Sequence, residues 1–136
     1  RSSAAPTASI KASASAWPGV QHPSVVISPE TTIGEGSVVL AQSFLSSNVT
    51  CGNHVHVNYC VSVGHDTTVG AFSTLLPGAR LAGNVTVGEG CLVGSNAAVL
   101  QGLRIGPGAT IGAGAVVTKD VAAGATVVGV PARPMG

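Results

Sequence analysis

Few residues in this chain are equipped for chemistry: it has four histidines, His22, His54, His56 and His65, and its carboxylates are Glu30, Glu35, Asp66, Glu89 and Asp120. One pair stands together, His65 directly before Asp66. An outward-facing imidazole is a candidate general base. An interval of eighteen residues, three times a six-residue repeat that runs through the chain, aligns His65 with Ser47 below and with Gly83, Gln101 and Lys119 above. A glycine one coil above an exposed histidine leaves a backbone N–H open to a ligand, which suits stabilisation of an oxyanion about one strand spacing from the base. Asn58 lies one rung earlier, on the adjoining face, where its amide is expected to reach the same cleft. Plainer readings stand beside these. An exposed histidine is ordinarily only a surface residue, an Asp at a chain corner is explained by turn chemistry, and Gly83 between Ala82 and Asn84 reads equally as relaxed turn backbone. His54 and His56 are two apart, and no further His or Cys has the spacing to complete a zinc site, so no metal is expected.

The elements that must position these residues are read from a ladder of apolar side chains spaced six apart, from Ile27 through Ile33, Val39 and so on to Ile111 and Val117, with no polar member and no slip. Neither the helical period nor strand alternation gives a strict six, whereas a parallel β-helix of hexapeptides does. Four residues after each ladder position comes a second inward slot filled by small or medium residues, among them Ser37, Val55, Ser73, Ala97 and Val121. Three residues after each, Gly, Asn or Asp predominates, as at Gly36, Asn48, Asp66, Asn84, Gly102 and Asp120. These types accept a left-handed backbone at low cost and mark the corners. With three hexapeptides per coil, residues eighteen apart stack. The glycine-rich run IGPGATIGAG is accounted for by this period and not by a dinucleotide-binding loop.

A chain of 136 residues allows one domain. A net charge of +1, with 8% charged residues and four aromatics, offers neither a basic stripe nor a stacking surface for nucleic acid. No apolar stretch has the continuity of a membrane span, so the reading is a soluble protein with no membrane partner. Cys51 and Cys91 fall on inward columns and Cys60 at a corner, which argues against a disulfide framework and for a reducing, cytoplasmic compartment. Many aliphatics on a thin prism point to faces covered by further copies. Leu40, Phe44, Tyr59, Phe72, Leu76, Leu92 and Leu100 are the candidates, and a homo-oligomer is expected. Residues 1–16, mostly Ser and Ala, lack a secretory core and are expected to be a linker or disordered arm left from an upstream domain. Residues 17–136 form the β-helix, entered through Trp17, Pro18 and the segment 20–26. A last strand is expected over Val127 to Val130, stopped by Pro131 and Pro134.

The stretch VNYCVSVGHDTTVGAFSTLLPGARLAGNVTVGEGCLVGSNAAVL, followed by IGAGAVVTKDV and the closing GVPARPM, resembles the hexapeptide-repeat acyltransferases with a left-handed β-helix. Within them it most resembles the sialic acid O-acetyltransferase and UDP-amino-sugar N-acetyltransferase branch, over about residues 21–136. The resemblance implies an all-β triangular prism assembled as a homotrimer, using acetyl-CoA to acetylate an oxygen or nitrogen of a sugar. It implies His65 as general base, Asp66 as its orienting carboxylate, Asn58 as a polar partner and the Gly83 N–H on the thioester oxygen. Acetyl-CoA would run between subunits past Gly83, Ser95, Ala98, Gln101 and Ala113. Some relatives have a second histidine near the thioester where this chain has Thr74. Relatives also usually carry an N-terminal Rossmann-like domain that binds the acceptor's nucleotide, a pattern not found in these residues. Other classes remain open beside this one. A non-catalytic scaffold module would not bind CoA. Ice binding needs regular outward Thr arrays, where the outward columns read as mixed. A γ-class carbonic anhydrase needs three zinc histidines in a pattern this chain does not match.

Overall fold

The computed structural model describes residues 9–11 and 19–135. Trp17 and Pro18, read as part of the entry to the prism, and most of segment 1–16 lie outside the described residues. Within that segment, β1 (Ser9–Lys11) pairs antiparallel with β2 (Gly19–Gln21), Ser9 opposite Gln21 and Lys11 opposite Gly19. Sixteen two-residue strands follow, from β3 (Val26–Ile27) to β18 (Val116–Val117), and each ends on a ladder residue.

Within this series each strand pairs in parallel with its neighbours eighteen residues away, which closes the chain into three walls. The first wall stacks His56, Thr74 and Leu92, the second Ser62, Arg80 and Ala98, the third Thr50, Thr68 and Thr86. The result is the left-handed parallel β-helix expected from the hexapeptide repeat. No helix among the described residues is long and apolar enough to cross a membrane.

The ladder is the core: its members are buried from Ile33 to Val117, and Ile27 at the open end is half-buried. The second inward slot has a polar logic besides its size limit. Where it holds a hydroxyl, that group stitches coils together: Ser43 Oγ donates to the Asn58 carbonyl (2.7 Å) and accepts the Val61 N–H (3.2 Å). Ser73 does the same between Gly88 O and the Cys91 N–H. Where the coil below offers no hydroxyl, as at Ala97, the N–H turns to its own corner and bonds Gly94 O at 3.1 Å. Either way a buried amide is satisfied. The Cys91 thiol plays the hydroxyl's donor part toward Gly106 O.

The corners take a left-handed backbone at every sixth residue from Gly36 to Gly114, and the series includes Gln42, Cys60 and Phe72, types that rarely adopt it. Corner amides compensate by bonding to the coil below, as His54 N–H does to Glu35 O and Cys60 N–H to Ala41 O. Asp120, expected to be another corner, is not one. Val121 pairs with Ile105, so this rung is short by two residues and Val121 stands on the ladder rather than in the second slot. The Asp120 side chain supplies the acceptor that the short rung takes away from the backbone, accepting the Arg104 N–H at 2.9 Å.

Two further expectations are corrected. The strand expected over Val127 to Val130 is β19 (Thr126–Val128), and it is not the last: Pro134 lies in β20 (Arg133–Pro134), which folds back antiparallel because the turn before it directs the chain onto the free edge of β19. The outward columns are also less mixed than read from sequence. Thr32, Thr50, Thr68 and Thr86 form a single in-register file on the third wall, ended by Arg104. Among the residues expected to be covered by other copies, Phe44, Tyr59, Phe72, Leu92 and Leu100 are exposed, and Leu40 and Leu76 are half-buried.

Candidate active site

The chain leaves the second wall at Ser62–Val63 and turns a corner through Gly64, His65 and Asp66 before the third wall begins at Thr68. Gly64 packs against the coil above so closely that a Cβ on it would lie 2.6 Å from the Gly83 nitrogen. This contact brings the two coils together at the point where His65 projects. Asp66 takes the left-handed corner (φ 58°), its N–H bonds Ser47 O below, and the Asn84 N–H bonds His65 O above. The pair is thus pinned to the coils on either side.

His65 Nδ1 lies 3.0 Å from Asp66 Oδ2. An ionised carboxylate only accepts, so Nδ1 carries a proton, and in the neutral ring the lone pair is on Nε2. The ring lies over Gly83: a Cβ at that position would be 2.3 Å from Nε2. The Gly83 carbonyl accepts the Gly102 N–H, while its own N–H meets no acceptor among the described residues. A base lone pair and an unengaged backbone donor are therefore neighbours on one edge.

The other Asp66 oxygen accepts from Asn48 Nδ2 at 2.6 Å, one coil below. The Asn48 hydrogen bond, then that of His65 and its charge, hold the Asp66 carboxyl below its ordinary range. Reading the sequence assigned Asn48 to the corners and gave it no part in the site. The signal available was its place eighteen residues before Asp66.

The remaining expected site residues are spread around the second wall. Gln101 continues the His65 edge one coil beyond Gly83, and Ala98 is on the adjoining wall above Arg80. Ser95 and Ala113 stack on the far edge of that wall, where the Gly114 N–H bonds Ser95 O. Asn58 is also on that far edge, its Oδ1 taken by the Tyr59 N–H at 2.9 Å, so one chain does not bring it to His65. Thr74 points out of the first wall between His56 and Leu92. His54 does not repeat the geometry of His65: it is itself a left-handed corner residue, its Nδ1 faces Gly36 on the coil below, and its ring stacks on Phe72 at 5.3 Å rather than bonding a carboxylate. No group of three His, Cys, Asp or Glu among the described residues is placed to hold a metal. A cavity of about 340 Å³ lies at the C-terminal end beside Lys119, Val121, Val127 and Arg133, away from His65. Cys51 and Cys91 are buried and Cys60 is exposed, all as free thiols.

Residues 84–119 match the bacterial transferase hexapeptide family (six repeats). The chain is 41% identical over 74 residues to the GDP-perosamine N-acetyltransferase of Escherichia coli O157:H7, which covers 54% of this chain and 34% of that protein. Among solved structures it is similar to the acetyltransferase domain of PglB from Neisseria gonorrhoeae FA1090 in complex with acetyl coenzyme A, with 40% identity and a TM-score of 0.86 over 87% of this chain. It is similar to PerB from Caulobacter crescentus in complex with CoA and GDP-perosamine, with 37% identity and a TM-score of 0.86. The chain spans 58% and 57% of those two structures and about a third of the curated relative. The matched repeats and the common backbone course show that the chain has the β-helix fold of these structures.

Proposed function

We propose that the chain is the catalytic domain of an acetyl-CoA-dependent acetyltransferase acting on the amino group of a nucleotide-linked amino sugar. The observation that carries the reading is the His65 ring held by Asp66 with Nε2 over the unengaged Gly83 amide. The similarity to proteins solved with acetyl coenzyme A, and with CoA and GDP-perosamine, supports the donor and favours a nitrogen over an oxygen as acceptor.

In the reaction, His65 Nε2 takes a proton from the acceptor amine as its nitrogen attacks the thioester carbonyl carbon. The oxygen becomes an oxyanion steadied by the Gly83 N–H. The C–S bond then breaks, and the departing CoA thiolate takes that proton from His65 Nε2, which regenerates the base. Direct transfer needs no acyl-enzyme, which agrees with a site that offers a base and a donor.

His65 lies on an outward edge of the prism, so a cleft around it requires an opposing surface. A homotrimer provides one, and it would cover exposed Phe44, Tyr59 and Leu100 and bring Asn58, Ser95 and Ala113 of one subunit toward the His65 edge of another. Acetyl-CoA then runs along Gly83, Ala98 and Gln101, with Thr74 near its thioester end. Residues 1–16, of which Ser9–Lys11 pair onto β2, lead into the β-helix of 17–136, and the free thiols fit a cytoplasmic setting.

Replacing His65 with Ala lowers kcat by about 10²- to 10⁴-fold with the assembly intact. Unchanged turnover removes His65 from the reaction, and calorimetry without CoA or acetyl-CoA binding leaves a scaffold in its place.

A further inference from the structure

We infer that Asn48 is a positioning residue of this site: its amide orients the Asp66 carboxylate so that the His65 proton stays on Nδ1 and the lone pair on Nε2. The inference rests on the acyl-transfer reading above. Asp66 is about half exposed, and a carboxylate on an open corner is free to turn about its side-chain bonds. Two contacts fix it. Oδ1 accepts from Asn48 Nδ2 at 2.6 Å, which leaves Oδ2 for His65 Nδ1 at 3.0 Å. Without the first, either oxygen or neither can face the ring.

The left-handed backbone at Asn48 (φ 58°) explains a small polar residue there but not the contact. Glycine serves six other corners from Gly36 to Gly114, and other asparagines near the corners use their side chains differently. Asn53 Oδ1 accepts the Glu35 N–H, and Asn96 Oδ1 rests against Gly78. Asn48 instead gives its amide to a carboxylate, and that carboxylate is the one bonded to a histidine. The lowered pKa of Asp66, with the Asn48 hydrogen bond as its largest cause, agrees with this geometry.

The test uses Asn48→Gly, which removes the amide and tolerates the left-handed backbone, and Asn48→Asp, which keeps the size but replaces the donor by a like charge. In the full chain with labelled His and Asp, NMR reads the His65 ring nitrogens and the Asp66 carboxyl titration. Steady-state assays with acetyl-CoA and a nucleotide-linked amino sugar read kcat and KM separately. In both variants the Asp66 midpoint is expected to rise, the ring nitrogens to move toward a mixture of tautomers, and kcat to fall roughly tenfold, part of what a general base contributes, with KM for acetyl-CoA within about twofold. Ring and carboxyl signals that superimpose on wild type while wild type transfers acetyl groups overturn the role of Asn48 alone. Absence of transfer by the wild-type chain, whatever the spectra, overturns the acyl-transfer reading and with it this role.

Discussion

Gly83→Ala tests the site at its narrowest point. The backbone there is outside the left-handed region, so alanine brings no conformational penalty, and the whole effect comes from one methyl group. That methyl would stand 2.3 Å from His65 Nε2, 2.7 Å from Cε1 and 2.8 Å from Cδ2, where ordinary contact begins near 3.4 Å. Relief requires the ring to move by about 1 Å, and a shift of that size at a reacting centre costs about 10²-fold in rate. The ring is half exposed and swings outward without disturbing the ladder, so the fold survives. The assay is CoA release followed with a thiol reagent at saturating acetyl-CoA and acceptor, beside a thermal melt of the same preparation. The expected result is kcat down by about 10²-fold with the melting temperature nearly unchanged. Wild-type kcat in a folded Gly83→Ala protein would show that neither the imidazole nor the amide acts at this edge.

Other consequences are as concrete. Asp66→Asn removes the carboxylate that accepts the Nδ1 proton, so its kcat falls, whereas wild-type kcat in a folded variant would return Asp66 to a mere corner residue. Ser73→Ala should cost only about 0.5–1.5 kcal/mol by denaturant titration, since the freed Cys91 N–H and Gly88 O can bond each other as Ala97 N–H and Gly94 O do. A loss above about 3 kcal/mol would mean that the orphaned groups stay unpaired. Burial pushes the Cys51 thiol from 9.0 up to about 12, so the native state keeps a proton that the unfolded chain gives up. Relative to Cys51→Val, wild-type stability is therefore full below pH 9 and declines as pH rises toward about 12, and parallel stability–pH curves would refute this.

The repeat was legible because its cause is local and covalent. A period of six needs only the alternation of apolar ladder, small slot and corner, and closing three such rungs per turn makes stacking partners a matter of arithmetic. For that reason His65 and Gly83 were paired from residue numbers alone, and Cys51 and Cys91 were assigned inward. The same arithmetic concealed the shortened rung at Val121, since an apolar residue satisfies either slot and only the pairing with Ile105 distinguishes them.

The amino-acid order by itself thus determined the coil, its handed corners and which columns face inward, because burial of a periodic apolar set leaves one economical solution. Tertiary structure alone decided the direction of exposed side chains: Asn48 toward Asp66, Asn58 toward its own turn, His54 toward Phe72. An exposed side chain has several staggered rotamers of similar energy, and the choice among them falls to atoms on neighbouring coils that are far away along the chain.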